Sequence, residues 1–580
     1  MAQVYQGTKI SPGVAMGRVR VVEKMNLELP HYSVTDCEQE VAIFCACHDA
    51  EVQETKRTLQ DAYDKLGERD AEILDVQLTL LQDEYSVVEP IKEAIRNDSL
   101  NVAQAIDRVM REIVSMFSEA EDEYIRMRTN DAEDVRRRLL TRALGIQVQN
   151  YSVLPEGTII VAEELTPSDT IRMDLKHVSG IVTVLGGYYS HVGIISRNLG
   201  IPSVCDLRDA VNVLKNGDTV IVNGDEGAIM LDLNHVDLVC FKEMQHQKER
   251  ENRELDAFRF ADSRTANGDF GLICANIGSV AEAETALASG AEGIGLMRSE
   301  FLYMDQAMLP DEETQFQAYR KVLETMGEKS VIFRTLDVGG DKQLPSLPIG
   351  KEENPFLGYR AIRLCLDRQD LFRTQLRALL RASVYGNLKI MFPMISSLEE
   401  LRKAKQLLGQ ARNELEEEGV RTADVQVGIM IEVPAAAILA DCFAKEVDFF
   451  SIGTNDLIQY TVAAERGNRA VENLYSPYHP AVLRLIDMTA RAAQRENILC
   501  GMCGEAAADP DLLPVFWGMG LREFSMAASA ITRAKKILSY WRTEDCKKLA
   551  ERVQRCASKQ DVLDLIHTEN EKFSDNSDSI

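Results

Sequence analysis

The sequence predicts a multidomain α/β protein. An N-terminal α/β domain carries an inserted helical bundle, a linker helix follows, and the chain closes in a (β/α)8 barrel. Three observations predict this. Apolar strands alternate with helical segments about eight times over the last 300 or so residues, the rhythm of a TIM barrel. Residues 34–143 have helical periodicity almost throughout. Between these regions lies strand-rich sequence with a glycine turn and a histidine at a helix start.

The elements follow in chain order. Short strands open the chain, with a turn at 11–17 and an alternating run at 17–22. Thr35-Asp-Cys-Glu38 reads as a capping box for the first helix. Four further helical segments, 71–82, 85–97, 102–120 and 132–144, complete a bundle. Strands return at 157–162, 180–185 and 218–223. The charged run 237–262 reads as a solvated connector helix. Barrel strands are expected at 270–276, 293–297, 331–334, 388–392, 426–432, 447–453, 498–503 and 523–526. The domains expected are therefore 1–30 with 145–235 (α/β), 31–144 (helical), 236–264 (linker) and 265–570 (barrel), with a disordered tail at 571–580.

With 580 residues, 45 % of them hydrophobic, the chain has ample core material for several domains. A net charge of −27 argues against nonspecific binding to nucleic acid or to an anionic membrane. No apolar run is long enough to span a bilayer, the first residues do not read as a signal peptide, and the 12 cysteines form no framework. A cytoplasmic protein with reduced thiols is expected.

Chemistry-bearing residues gather at two places. In Gly186-Gly-Tyr-Tyr-Ser-His191 the histidine opens an amphipathic helix. Unpaired N–H groups and the positive dipole end there suit a phosphoryl group, and a neutral imidazole can attack phosphorus. A half-buried histidine satisfied by backbone is the plainer alternative. In the barrel, Arg298, Arg334, Glu432, Asn455, Asp456, Arg466 and Cys503 stand where strands stop. Such ends meet at the C-terminal face, where barrel active sites form. Guanidinium groups match phosphate and carboxylate, and paired carboxylates match Mg²⁺ rather than a softer metal.

Six barrel motifs give these residues a context: Gly295-Leu-Met-Arg-Ser-Glu-Phe301, Phe333-Arg-Thr-Leu-Asp-Val-Gly-Gly-Asp-Lys342, Glu353-Asn-Pro-Phe-Leu-Gly-Tyr-Arg360, Phe450-Ser-Ile-Gly-Thr-Asn-Asp-Leu457, Arg466-Gly-Asn468 and Gly501-Met-Cys-Gly-Glu505. With them the chain resembles enzyme I of the bacterial phosphoenolpyruvate-dependent sugar phosphotransferase system, from about residue 7 to about 565. The resemblance implies that a phosphoryl group passes from phosphoenolpyruvate to His191 and on to the carrier protein HPr. It implies that Glu432 and Asp456 hold Mg²⁺, that Arg298, Arg334, Arg360, Arg466, Asn455 and Asp456 line the substrate site, and that Cys503 protonates the enolate. Thr170, in Leu165-Thr-Pro-Ser-Asp-Thr170, would support the phosphohistidine, and the family dimerises through the barrel.

The chain departs from the family pattern around the histidine. Tyr188 and Tyr189 replace an Arg-Thr pair, Cys205-Asp-Leu207 replaces Val-Gly-Thr, and Gln77 stands where a histidine is frequent. These changes leave two alternatives to the standard reading. One is a divergent paralogue with another acceptor. The other is a regulatory protein that senses phosphoenolpyruvate without turnover.

Overall fold

The computed structural model describes residues 2–577 apart from 23–28, 31, 33, 66–67, 121–125, 127, 147–150, 152–153, 166–168, 171–172, 188–189, 209–212, 305–307, 341–343, 345, 348, 351, 467 and 469. It divides into two compact units, Met1–Glu249 and Arg250–Ile580.

The first unit is built on a mixed sheet. Its strands are β1 (Gln3–Gln6), β2 (Thr8–Ser11), β3 (Val14–Val22), β4 (Thr158–Ala162), β5 (Val178–Thr183), β6 (Ser203–Cys205), β7 (Thr219–Asn223) and β8 (Ala228–Leu231). Their order is β1-β8-β7-β3-β4-β5-β6-β2. The central strand β4 lies parallel to both its neighbours and is buried along its whole length. That explains why it reads as a continuous apolar run rather than an alternating one. β6 and β8 are too short to stand out in the sequence.

The helical bundle is inserted between β3 and β4. Its main helices are Cys37–Lys65, Glu68–Leu81, Glu89–Asp98, Val102–Ser118 and Thr129–Ala143. Phe44, Ile91, Ile106, Val135 and Leu139 are among its core residues. The expected capping box is corrected. Asp36 Oδ1, not Thr35, accepts the first free amides, from Glu38 (3.0 Å) and Gln39 (3.1 Å). Inside the bundle Arg138 pairs with Glu51 at 3.0 Å and donates to Gln77 Oε1 at 3.0 Å.

The second unit holds eight parallel strands, β9 (Leu272–Ile277), β10 (Ile294–Arg298), β11 (Ser330–Arg334), β12 (Asn387–Phe392), β13 (Gln426–Ile431), β14 (Phe449–Ile452), β15 (Leu499–Met502) and β16 (Glu523–Met526). They form a closed barrel, with β16 pairing back onto β9 from Glu523↔Leu272 to Met526↔Ala275. The outward side chains, such as Phe333, Ile390 and Phe524, pack with the surrounding helices into the main core.

The helix His235–Phe258 covers most of the charged connector, and the division between the two units falls within it. The barrel's packing reaches back before residue 265. The buried Lys535 ammonium donates to the carbonyls of Arg259 (3.2 Å), Ala261 (2.9 Å) and Gly290 (2.7 Å). The last helix runs Lys559–Ser577. Among the described residues no helix is long and apolar enough to cross a membrane.

Candidate active site

In the barrel unit the strand ends gather the predicted residues on one face. Arg298 ends β10 and Arg334 ends β11. Glu432 follows β13, Asn455 and Asp456 begin the helix after β14, and Cys503 follows β15. Arg360 comes from the loop after β11, just before the helix Ile362–Asp367.

Arg334 and Arg360 are both buried and share Asp337. Its two oxygens meet Arg334 Nη1 at 2.9 Å and Arg360 Nη2 at 3.0 Å. Arg334 also pairs with the buried Glu300. Arg360 reaches Asp456 at 3.5 Å and donates to Tyr460 Oη at 3.2 Å. Burial alone would disfavour the two guanidinium charges. Glu300 and Asp337 beside Arg334, and Asp337 and Asp456 beside Arg360, more than offset it, so both pKa values rise and both groups stay charged. Asp337 and Glu300 had no assigned role in the sequence reading, although both lie in quoted motifs. Their signal is spacing, Asp337 three residues after Arg334 and Glu300 two after Arg298.

Glu432 is 1 % exposed. Met394 N donates to its Oε1 at 2.6 Å, with Met394 itself at φ +55°. Ala361, next to Arg360, has φ +52°. Two non-glycine residues in this sparsely allowed region therefore adjoin site residues, a pattern typical of functional sites. Burial raises the Glu432 pKa, Asp456 and Asp337 raise it further, and Arg334 and Arg360 offset part of the rise. The carboxyls of Glu300, Asp337, Glu432 and Asp456 outnumber the two buried guanidinium groups here. Gly453 keeps space open beside the Glu432 carboxyl, since a Cβ there would lie 2.9 Å from Glu432 Oε2. Hard oxygen donors with surplus negative charge and adjacent room fit Mg²⁺.

Arg298 is exposed, with no ion-pair partner recorded among the described residues. Arg466 lies 3.8 Å from Glu505, both side chains being exposed. Asn455 Nδ2 donates to the same Glu505 at 3.1 Å. The Cys503 thiol is buried inside the barrel mouth, and burial pushes its pKa up to about 11. At neutral pH it is a thiol, which suits a proton donor rather than a nucleophile.

In the first unit the helix His191–Leu199 begins at His191. Ser190 caps it, accepting from Gly193 N at 3.2 Å, and Gly200 ends it in the left-handed conformation. Gly186 has φ +129°, which favours glycine at the turn. The His191 side chain and both of Tyr188 and Tyr189 lie outside the described residues. Cys205, the last residue of β6, lies beside the same turn, its thiol 3.8 Å from Gly186 O. Thr170 is buried. Gln77 is 1 % exposed, so its replacement of histidine sits in the bundle interior and not on its surface.

Family models match three stretches: the PEP-utilising enzyme N-terminal domain at 6–128, the mobile domain at 154–227 and the PEP-binding domain at 252–542. A phosphoenolpyruvate-protein phosphotransferase of Staphylococcus carnosus (strain TM300) is 43 % identical over 567 residues, 98 % of this chain and 99 % of the relative. Phosphoenolpyruvate-protein phosphotransferases of Bacillus sp. (strain S) and Geobacillus stearothermophilus are each 45 % identical over 565 residues, covering 97 % of this chain and 98 % of the relative. The chain belongs to the phosphoenolpyruvate-protein phosphotransferase family. Within this phosphotransferase the barrel residues described above fall inside the PEP-binding match and His191 falls inside the mobile-domain match.

Proposed function

We propose that this enzyme takes a phosphoryl group from phosphoenolpyruvate onto His191 and passes it to an HPr-like phosphocarrier, as a cytoplasmic homodimer formed through the barrel. The observation that carries this reading is the convergence of Arg334, Arg360, Glu432, Asp456 and Cys503 on one barrel face, with Asp337 holding both arginines and Arg360 reaching Asp456.

Arg334 and Arg360, fixed by Asp337, present preorganised positive charge to a phosphate and a carboxylate. Arg298 and Arg466, both exposed, complete the grip with Asn455. Glu432 and Asp456 would hold Mg²⁺. When bound, the metal ion supplies further positive charge against the phosphoryl oxygens. As the phosphoryl group leaves toward His191, the Cys503 Sγ–H gives its proton to C3 of the enolate, which becomes pyruvate. Thr170 supports the phosphohistidine.

His191 and the barrel belong to different units, so transfer requires His191 to approach the barrel and then leave for a carrier. The helix His235–Phe258 is the element about which such a movement turns. The helical bundle is the docking surface for the carrier. Burial of Gln77 weighs against the divergent-acceptor reading, because that substitution does not alter the bundle surface directly.

Mixing the enzyme with phosphoenolpyruvate, Mg²⁺ and an ordinary HPr tests this. Continuous pyruvate release with phosphorylation of HPr is expected. Phosphoenolpyruvate binding with no pyruvate would instead favour a sensor. Pyruvate in one burst that HPr does not sustain would favour another acceptor.

A further inference from the structure

The interior of the barrel is filled unevenly. Leu296, Ile332, Met391, Met430 and Phe449 pack into an apolar cluster that Cys503 joins. Along β14, β15 and β16 the interior is instead small and polar. Ser451 pairs with Gly501, and Gly501 pairs with Glu523, so the three share one rung. Cys503 and Ser525 lie two residues further along their strands, one rung nearer the C-terminal face, about 6.6 Å on at the usual rise per residue.

Two glycines show what this side of the barrel contains. A Cβ on Gly501 would lie 3.1 Å from both Cβ and Oε1 of Glu523. A Cβ on Gly295 would lie 2.7 Å from Ser525 Oγ and 3.2 Å from Glu523 Oε1. The Glu523 carboxyl and the Ser525 hydroxyl therefore border one space that larger side chains would fill. Among the described residues the buried Ser525 hydroxyl has no hydrogen-bond partner, and the buried Ser451 hydroxyl has none but the Cys503 thiol. Such groups are normally satisfied by ordered water.

Glu523 is 2 % exposed. Its charge is attracted by Lys389, half-buried near the start of β12, but the two form no ion pair among the described residues. A carboxyl placed inside a barrel without such a pair destabilises the fold, which asks for another role. Burial raises its pKa and Lys389 offsets part of the rise, so its acid form persists to higher pH than usual. The thiols of Cys274 and Cys503 lie on the same interior face and feel its charge, and burial raises the pKa of each.

Each turnover leaves Cys503 as a thiolate that must regain a proton while substrate or product fills the barrel mouth. We propose that Glu523 restores the Cys503 thiol from inside the barrel, through the Ser525 and Ser451 hydroxyls and the water they bind. In this step the Glu523 O–H bond breaks, each hydroxyl or water passes one proton on as it accepts another, and the Sγ–H bond forms. The Glu523 carboxylate then takes a proton from solvent entering beside Lys389. Glu523 acts through Cys503 and is a positioning residue. The inference rests on Cys503 being the proton donor proposed above.

The test uses full-length enzyme equilibrated in H₂O and mixed rapidly into excess D₂O with phosphoenolpyruvate and Mg²⁺. Mass spectrometry then reads the pyruvate of the first turnover. The relay exchanges the thiol proton quickly, so the parent enzyme should yield singly deuterated methyl groups. Glu523→Gln should retain protium in the first turnover with an unchanged burst, and its steady rate with HPr should fall at least about tenfold. Glu523→Asp should recover part of that rate. Ser525→Ala, a smaller change to the core, should also retain protium. Protium retention by the parent, or a parent-like product from both Glu523→Gln and Ser525→Ala, overturns the relay. Cys503→Ser separates the two readings. If it forms pyruvate in the first turnover at the parent rate, the donor assignment fails. If it does not, parent-like products from both Glu523→Gln and Ser525→Ala defeat the relay and leave the donor assignment standing.

Discussion

Glu432 must lose its proton before it can bind a metal ion, and its pKa is raised by burial and by Asp456 and Asp337. The sign follows directly. Lowering the pH through the raised pKa neutralises the carboxyl, so Mg²⁺ affinity should fall at a higher pH than for an ordinary carboxylate pair. Calorimetric titration with Mg²⁺ in the presence of phosphoenolpyruvate across the neutral range would show this, and a flat affinity would contradict it. Asp337 offers a second check at this scale. Replacing it with alanine leaves two buried guanidinium groups facing each other, which should destabilise the barrel by about 3–5 kcal/mol and remove phosphoenolpyruvate binding. A denaturant midpoint close to the parent's would show that Glu300 and Asp456 suffice. The ligand-type residues were legible in the sequence because they follow apolar strands. Asp337 was not, because its partner Arg360 lies 23 residues further on and meets it only in the fold.

At the scale of elements, the helix His191–Leu199 depends on Ser190 to cap its first turn. Ser190→Ala should destabilise the N-terminal unit by about 1 kcal/mol and slow histidine phosphorylation, while phosphoenolpyruvate binding stays unchanged. Separate melting of the units and a binding titration would distinguish these effects, and loss of binding would contradict the division of labour. All eight barrel strands were legible, since most are short apolar runs bounded by turn residues. The first helix cap was misread by one residue, because Thr35 and Asp36 are both good caps and only the backbone geometry decides between them. β6, at three residues, was invisible because its identity comes from pairing with β2 and β5 rather than from its own pattern.

For the whole molecule, the barrel should fold alone, but its boundary lies earlier than residue 265. A fragment spanning Arg250–Ile580 keeps the carbonyls of Arg259 and Ala261 that hold the Lys535 ammonium, whereas one starting at residue 265 leaves that buried charge short of two acceptors. The longer fragment should be the more stable by roughly 2–3 kcal/mol, and equal melting curves would contradict this. The sequence hid the boundary because the acceptors are main-chain atoms that no residue type reveals. The central claim is that phosphoenolpyruvate bound at the barrel face phosphorylates His191 in the other unit. It is tested most directly by incubating the full-length enzyme and its His191→Ala variant with radiolabelled phosphoenolpyruvate and Mg²⁺. The account predicts acid-labile, base-stable label on the parent, none on the variant, and equal phosphoenolpyruvate binding by both. Label persisting on His191→Ala would contradict it.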